Sequence, residues 1–560
     1  MDSTTQAPAH AAGAALFLRA ATRYAIVGFA LGLSWIPRLH AAPGDTFLVS
    51  LSPMAQQAAT GFIDTGESIS ADGRYVVFVS RADDLVPDDT NGAADIFVSD
   101  RQAGTLERVN LSSSGAQSSH TSWRPVISAD GRYVVYQTNS SDVVPNNPDA
   151  EFILVLRDRS LGTTELVTVD QTGMHARPGA DASISADGRY VAFASAAGDL
   201  VNGDTNGVQD IFVRDRQERR TVRVSVSSDG TQADCHQWGT SISASGRYVA
   251  FNSCASGLAA DASGNHDVFV HDQVEQTTSR VSFAMPGGQD SGGVVDSTIS
   301  GDGRYVAFST GAALVPEDTN GATDVFLHDR STGQTERVSL DGAAGQADGD
   351  SAGASLSADG RYVAFWSNAG DLTPEPFGPG IFVRDRWTGT LERASVDSHG
   401  GPARYVGTEP SLSADGRFVA FDTDTPLVPV DLNRGYPSYD AYVHELGATR
   451  TPTFSYSIHP AGLSFGERAL GTKSSMSFWL KNTGRSSLPV QDMRMVGPDR
   501  SVFSRSHHCT FVFPGESCRI RVTLNATSPG EKSASVRVVA GIDTVRTRPV
   551  SATVVPVDTQ

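Results

Sequence analysis

A short string that recurs seven times constrains the fold of this chain more than any other feature. It reads Ile-Ser-Ala-Asp-Gly-Arg-Tyr with small changes, and its copies are spaced 56 to 58 residues apart. A repeat of so even a period indicates that each copy belongs to one structural unit that stacks on its neighbours. The turn glycines of the seven copies are Gly73, Gly131, Gly188, Gly246, Gly303, Gly360 and Gly416.

Each unit predicts four short antiparallel strands, which we call A, B, C and D. In the third unit these are residues 182–185, 189–194, 210–215 and 221–226, and Asp187-Gly188 is a two-residue hairpin signal between A and B. Seven such units predict an all-β fold, a seven-bladed β-propeller of four-stranded blades.

The ends of the repeat predict that the ring closes. The seventh unit lacks a D strand, whereas residues 46–52 precede the first A strand and resemble the D segment 336–340. We therefore expect the N-terminal strand to complete the last blade, which leaves no open edge in the ring.

The string Ser-Ala-Asp-Gly-Arg-Tyr-Val-Ala-Phe, followed by Asp-Ile-Phe-Val-Arg-Asp-Arg, resembles the WD40-like propeller repeat of TolB and related exported bacterial proteins. The resemblance covers residues 45–447 and implies the fold, while it says little about function because propellers occur in many contexts. The separate N-terminal domain of TolB has no counterpart in this sequence, which argues against a role in the Tol–Pal system. A TolB-like envelope scaffold is nevertheless an alternative function.

A linker at 448–453 and a second domain at 454–560 follow the repeat. Residues 462–466, 478–484 and 514–522 alternate like the strands of an immunoglobulin-like β-sandwich. They resemble the choice-of-anchor D and MSP/ASH-like domains of bacterial surface proteins. That resemblance implies a spacer or adhesion module and a disulfide between Cys509 and Cys518.

The N-terminus predicts export. Arg19 and Arg23 flank an apolar run at 24–36, and small residues follow at 41–42, which together describe a signal peptide over residues 1–42. An uncleaved anchor is the alternative. We expect a periplasmic, cell-surface or secreted protein with no membrane span after cleavage. In that environment Cys235 and Cys254 are expected to form a second disulfide.

Charge limits the range of partners. The chain has 63 acidic and 44 basic residues, for a net charge of −19. This balance argues against nucleic acid as a partner. A protein or an envelope or extracellular polymer is the expected partner of a monomeric chain.

The search for catalytic chemistry favours a protein that is not an enzyme. The sequence contains no H-E-x-x-H, no G-x-S-x-G and no complete EF-hand loop. Pairs such as Arg189 with Asp215, and Arg304 with Asp329, recur in most units and are interpreted as structural. Catalytic residues should break the repeat rather than follow it. The alternative is a propeller glycosidase, lyase or hydrolase that acts at the central funnel through such residues.

The loops between strands B and C predict a possible calcium site. They read Asp-Thr-Asn-Gly-x-x-Asp in three units, and calcium favours several oxygen ligands from a flexible loop. The competing interpretation is that these residues form turns. The candidate ligands are Asp89, Asn91 and Asp95; Asp204, Asn206 and Asp210; and Asp318, Asn320 and Asp324. Variants are Asp261, Asn265 and Asp267 in the fourth unit and Asp431, Asn433 and Asp440 in the seventh.

Aromatic and basic residues on the D–A connections predict a ligand-binding loop face. In a four-stranded meander these connections emerge at the same end as the B–C loops, and such residues beside a funnel suit binding. Packing between blades is the alternative, and a three-histidine metal site is a weaker one. The candidates are His120, Trp123, His175, Arg177, His236, Trp238, His399 and Tyr405.

Overall fold

The computed structural model describes most of the chain from Gly44 onward. The described residues are 44–51, 66–145, 152–170, 172, 178–260, 262, 265–283, 293–373, 378–431, 439–447, 454–484, 488–507, 509, 511–512, 517–540 and 544–556. The predicted signal peptide and linker lie outside them.

Within these residues the repeat forms seven four-stranded antiparallel sheets, and each sheet is one blade. The first three blades are β2 (Ser68–Ile69), β3 (Tyr75–Ser80), β4 (Asp95–Asp100) and β5 (Thr105–Arg108); β6 (Ser122–Ile127), β7 (Tyr133–Thr138), β8 (Ile153–Asp158) and β9 (Thr163–Leu166); and β10 (Pro178–Ile184), β11 (Tyr190–Ser195), β12 (Asp210–Asp215) and β13 (Arg220–Arg223). The next three are β14 (Gln237–Ile242), β15 (Tyr248–Ser253), β16 (Asp267–Asp272) and β17 (Thr277–Arg280); β18 (Val294–Ile299), β19 (Tyr305–Thr310), β20 (Asp324–Asp329) and β21 (Gln334–Arg337); and β22 (Ser351–Leu356), β23 (Tyr362–Ser367), β24 (Gly380–Asp385) and β25 (Thr390–Arg393). The seventh is β26 (Ser411–Leu412), β27 (Phe418–Thr423), β28 (Asp440–Glu445) and β1 (Thr46–Leu48).

The predicted closure is confirmed by strand β1. It pairs antiparallel with β28, with Thr46 opposite His444 and Leu48 opposite Tyr442, and so supplies the missing D strand. The A strands of neighbouring blades contact one another in a complete cycle, from β2 through β6, β10, β14, β18, β22 and β26 back to β2. The A strands therefore form the inner edge of a closed ring, and the D strands lie outermost.

The outer strand of the third blade is shorter than the sequence predicts. It ends at Arg223 instead of residue 226, because the chain leaves the sheet there. The Ser225 hydroxyl turns back to donate a hydrogen bond to Asp210 at 2.6 Å, and Val226 pairs with Gln232 in a separate hairpin. The inner strand is longer than predicted and begins at Pro178.

The hydrophobic core lies between blades. Phe193 and Phe212 of the third blade stack at 5.9 Å between ring centroids and are fully buried. They pack in one cluster with Leu154 and Leu156 of the second blade. Burial of such side chains on both faces of strands B and C explains the near-continuous apolar runs in these strands.

The repeated string forms the joint between blades. Gly188 has a φ of 71°, and a Cβ added there would lie 2.1 Å from the ring of Tyr133 in the preceding blade. Only glycine combines this left-handed backbone with so close an approach. Arg216 stacks 4.5 Å above the same ring and donates to the Gly188 carbonyl. Other rings on turn glycines are Tyr75 on Gly131, Tyr190 on Gly246, Tyr248 on Gly303, Tyr305 on Gly360, Tyr362 on Gly416 and Phe418 on Gly73.

The recurring Arg and Asp residues pair inside each blade. Arg189 bonds Asp215 at 2.6 Å, and Arg304 bonds Asp329 at 2.7 Å, so each pair joins strand B to the end of strand C. The structure thus gives these residues the structural role that their recurrence indicates.

The C-terminal domain is a two-sheet sandwich. One sheet has the order β29 (Tyr456–His459), β31 (Lys473–Asn482), β35 (Ser517–Asn525) and β33 (Phe503–His507). The other has β30 (Leu463–Ala469), β37 (Thr544–Val555), β36 (Gly530–Ala540), β32 (Leu488–Val496) and β34 (Phe511–Val512), and a 3₁₀ turn spans Arg500–Val502. Phe478, Ile520 and Val536 lie in the core between the sheets. Across the described residues of the whole chain, no helix is long and apolar enough to cross a membrane.

Two glycine substitutions distinguish the stability cost of losing the aromatic–glycine contact between blades from the cost of backbone strain alone. Gly207 has a φ of 68° and open space around it, so Gly207→Ala should cost about 1 kcal/mol of stability. Gly188→Ala, at the same backbone conformation, also collides with Tyr133 and should cost about 1 to 3 kcal/mol more. Chemical denaturation of both variants measures the difference, and equal losses would show that the ring–glycine contact is unimportant.

Candidate functional site

An arginine pairs with the two aspartates of the predicted calcium loop in the first, third and fifth blades. In the third blade, Arg223 at the end of β13 lies 2.9 Å from Asp204 and 3.5 Å from Asp210. Asn206 donates to Asp210 at 2.8 Å, and the Gln232 side chain accepts from both Thr205 N–H and Arg223. The Asp204 and Asp210 side chains are at most 5% exposed, so the ion pair is buried.

The first and fifth blades repeat this arrangement. Arg108 lies 3.2 Å from Asp89 and 3.5 Å from Asp95, and Asn91 donates to Asp95. Arg337 lies 3.5 Å from Asp318 and 3.3 Å from Asp324, while Asn320 donates to the Ala347 carbonyl. Sequence reasoning missed the arginines, although an Arg recurs at the end of each of these D strands and could have been found there.

The ion pair bears directly on the calcium prediction. Burial raises the pKa of Asp95 to about 6, against a hydrogen bond from Asn110 that lowers it. In the part of the chain that the structure describes, no three His, Cys, Asp or Glu side chains are placed to hold a metal ion. The loop carboxylates already pair with an arginine, so a calcium ion would have to compete with that arginine for them. Calcium binding at these loops stays a prediction.

The variant blades change this cluster. In the fourth blade Arg280 bonds Asp267 at 2.7 Å. In the seventh, Leu48 takes the place of the arginine, and the Tyr442 hydroxyl donates to Asp431 while Ser50 donates to Asp440. Asp261 and Asn433 lie outside the described residues.

The aromatic candidates pack within their own blades. Trp123 meets Phe152 edge to face at 5.0 Å between ring centroids, and Trp238 meets His266 in the same way at 4.8 Å. Each tryptophan lies near the start of strand A and covers the residue in front of strand C. Both ring contacts lie within one blade, and ligand binding at these tryptophans stays a prediction.

The remaining loop candidates are spread around the ring. His120 is exposed and bonds Ser119, whereas His236 accepts from the Gln209 N–H at 2.9 Å. Tyr405 is 50% exposed. His399 lies in a hairpin whose Ser398 accepts from Thr46 on β1, which places it at the outer edge of the seventh blade. His175 and Arg177 lie outside the described residues.

Both predicted disulfides are present. The Cα atoms of Cys235 and Cys254 are 5.5 Å apart, and those of Cys509 and Cys518 are 5.6 Å apart. The first bridge joins the beginning of β14 to the end of β15, next to His236. The second closes a loop of the C-terminal sandwich.

A ring of residues that do not follow the repeat lines the inner edge. We define the inner ring as the position seven residues before each turn glycine. In five blades it lies within a break of register between strands A and B, and a bulge of this kind re-aims a side chain. Its members are Gly66, Arg124, Asp181, Gly239, Asp296, Gly353 and Glu409.

Successive members of the inner ring contact one another. Arg124 bonds Asp181 at 3.0 Å, and the second oxygen of Asp181 accepts from the Gly239 N–H at 2.9 Å. In the same way Asp296 accepts from the Gly353 N–H at 2.6 Å. Ring members from neighbouring blades are thus linked directly.

Three carboxyl groups gather where the seventh blade meets the first, and we call Glu67, Glu409 and Asp422 the acidic seam. Glu67 is 5% exposed, and neither of its carboxyl oxygens has a hydrogen-bond partner in the described structure. Burial and the charge of Asp422 raise the pKa of Glu67 well above its ordinary value. Burial, with a contribution from Glu409, raises the pKa of Asp422 to about 6.

Sequence reasoning missed the acidic seam, although its signal was present. Aligned with Asp422, the other B strands carry Val79, Gln137, Ala194, Asn252, Ser309 and Trp366. Aligned with Glu67, the other A strands carry Pro125, Ala182, Thr240, Ser297, Ala354 and Pro410. Both acidic residues therefore break the repeat, which is the property expected of functional residues.

Comparison with known proteins identifies the C-terminal domain. Residues 456–548 match the family described as HYDIN/CFA65/VesB-like, Ig-like domain. The C-terminal domain is immunoglobulin-like. A search of the curated proteins finds no match.

Two solved structures that resemble the chain share little sequence with it. One is the putative TolB from Agrobacterium tumefaciens, with a TM-score of 0.33 and 16% identity over 61% of this chain and 95% of that chain. Another belongs to a mitotic checkpoint complex, with a TM-score of 0.36 and 13% identity over 74% of this chain and 94% of that chain. The propeller assignment therefore rests on the seven four-stranded sheets and on the closed circle that their A strands form.

Removing the loop arginine should reveal whether its carboxylates can hold calcium. Arg223→Met leaves Asp204 and Asp210 buried without a counter-charge, which should cost about 3 to 5 kcal/mol in chelator. Calcium should recover part of that loss, and magnesium less, because magnesium demands stricter geometry. Thermal melts measure both effects, with the exposed Arg220→Met as the control. If calcium recovers nothing, the calcium prediction for these loops is wrong.

The acidic seam should make stability depend on pH. Because the pKa of Asp422 rises from 3.8 to about 6 on folding, the native state binds more protons than the unfolded state between these values. Unfolding free energy should therefore fall as pH rises from about 4 to about 6, by at most about 3 kcal/mol from this group. Asp422→Asn should reduce the slope, while Asp95 continues to contribute. Chemical denaturation at several pH values measures the unfolding free energy. An equal dependence of that free energy on pH in the wild type and in Asp422→Asn would contradict this prediction.

Proposed function

We propose that this protein is a non-enzymatic binding or scaffolding protein that works outside the cytoplasm and holds a basic segment of a partner protein at its inner ring. One observation carries the proposal. The inner ring and acidic seam together present five carboxyl groups and one arginine, at positions where the repeat itself requires no charge. These residues are Glu67, Arg124, Asp181, Asp296, Glu409 and Asp422.

Electrostatics favour a cationic partner at this place. Burial raises the pKa of Glu409, and the charges of Asp181 and Asp296 raise it further while Arg124 lowers it. The carboxyl groups around the ring therefore act on one another. Like charges that share a confined inner edge repel, and a bound cation relieves that repulsion. A channel edge of one sign also raises the local concentration of oppositely charged ligands.

Export is supported by the two disulfides, since such bridges persist in oxidising compartments. The basic and apolar pattern of residues 1–42 agrees with it. Whether the destination is the periplasm, the cell surface or the medium is left open by this proposal. The immunoglobulin-like domain would then act as a spacer or adhesion module beside the propeller.

The alternative of a propeller enzyme gains one specific observation. The acidic seam supplies carboxyl groups with raised pKa values that break the repeat, as a funnel hydrolase would require. Yet Glu67 and Asp422 are each only 5% exposed, and this burial shields both carboxyls from a bulky substrate. Binding therefore accounts better for the arrangement than hydrolysis does.

A charged peptide tests the proposed function. The full mature chain should bind a fluorescent decalysine in fluorescence anisotropy, with an affinity that falls as salt is added, and should not bind decaglutamate. The triple variant Asp181→Asn, Asp296→Asn, Glu409→Gln should weaken decalysine binding by about tenfold or more. These changes keep the hydrogen-bond acceptors for the Gly239 and Gly353 N–H groups.

A second triple variant controls for net charge. Glu107→Gln, Glu165→Gln and Glu336→Gln remove the same charge from outer strands, where each carboxylate is about half exposed and solvent weakens its ion pair. It should bind decalysine like the wild type. An equal loss of decalysine affinity in the two triple variants would show that binding depends only on total charge, and the proposed function would be wrong.

A further inference from the structure

Two exceptions to the repeat meet at one place. Glu67 on the inner edge of the first blade and Asp422 on β27 of the seventh are each the one acidic residue among the seven aligned positions. Glu409, an inner-ring member, joins them from the seventh blade. Strand β2, which directly follows Glu67, contacts both β26 and β27 of the seventh blade. At this junction the charge of Asp422 acts on Glu67, and that of Glu409 acts on both.

We infer that the acidic seam is a site for one cationic N–H group, the ammonium or guanidinium end of a lysine or arginine side chain. The inference rests on the proposed function, because it names the residue type that a basic partner segment would insert there. It makes a narrower claim, since it assigns the group to three residues at a single junction between blades.

The carboxyl group of Glu67 points most directly to such a ligand. It is 5% exposed, and both oxygens lack a hydrogen-bond partner in the described structure. A buried polar group without a partner is strongly unfavourable, and native proteins satisfy nearly all of them. Ammonium and guanidinium groups carry three and five N–H donors, which suit the open acceptor sites of a carboxylate.

The backbone around the two buried acids of the seam differs. A Cβ added to Gly66, next to Glu67, would meet no described atom within 4 Å. At Gly407 an added Cβ would overlap the Asp422 carboxylate, so that glycine lets the carboxylate lie against the backbone. Glu409 is the most exposed of the three side chains, although partial desolvation still raises its pKa.

The arginine of the inner ring is engaged by another residue. Arg124, which acts electrostatically on Glu409, bonds Asp181 at 3.0 Å. The three carboxyl groups are also not placed as metal ligands, since the described residues contain no such group of three. A longer N–H donor group bridges more widely spaced oxygens than a bare ion can.

Small ammonium ions test the site in the full mature chain. At equal ionic strength, n-butylammonium chloride should raise the melting temperature in a saturable way. Tetramethylammonium chloride carries the same charge but no N–H donor, and it should not. Glu67→Gln and Asp422→Asn should each weaken the n-butylammonium affinity by about tenfold or more. Glu218→Gln, a carboxylate 68% exposed on a C–D turn, should leave it unchanged.

The outcomes separate this inference from the proposed function. Equal melting temperatures in the two ammonium salts, or an n-butylammonium response that survives both Glu67→Gln and Asp422→Asn, would overturn the site. A saturable response to calcium chloride that Glu67→Gln removes would replace it with a metal site. Decalysine binding that depends on the inner ring without any n-butylammonium response would leave the proposed function standing and this site rejected. The reverse pattern would keep the site and reject the proposed function.

Discussion

An aromatic side chain that packs on a glycine holds each blade of this propeller to the next, and the whole propeller depends on that contact. Tyr133 lies so close to Gly188 that a single added carbon would overlap it, and Arg216 covers the other side of the ring. Because interiors are packed to near-crystalline density, such a contact fixes the angle between two blades closely. Repeated around the ring, with Phe418 on Gly73 completing it, the contact makes closure a consequence of local geometry.

That constraint divides each blade into a part that must repeat and a part that can vary. The turn between strands A and B and the start of strand B carry the glycine, the arginine that pairs with the end of strand C, and the aromatic residue, and this segment is nearly invariant between blades. At the inner ring the A strand breaks register, and the residue there changes from glycine to arginine or aspartate without disturbing the turn. Charged side chains can therefore accumulate at the inner edge while the joints between blades keep the fold.

The loops between strands B and C illustrate how a sequence motif can name residues that converge and still miss the residue that pairs with them in the folded blade. Asp204, Asn206 and Asp210 do converge, as a ligand set would. Their counter-charge is Arg223, thirteen residues beyond Asp210, on a strand that lies beside them only after the blade has formed. Tryptophans at equal offsets likewise occupy equal places, but each packs against a neighbour in its own blade.

The sequence alone determined the four-stranded units, the number of blades, the closure by the segment 46–52 and both disulfides, while the structure set the closing strand to Thr46–Leu48. These follow from turn chemistry, from strand periodicity and from pairs of cysteines close in the chain. Only the tertiary structure decided that Glu67 and Asp422 meet, because 355 positions separate them and no local pattern links them. The same holds for the contacts of Asp181 with Arg124 and Gly239 across two blade boundaries. Side chains far apart in sequence come together only when the ring closes, since closure fixes which blades are neighbours.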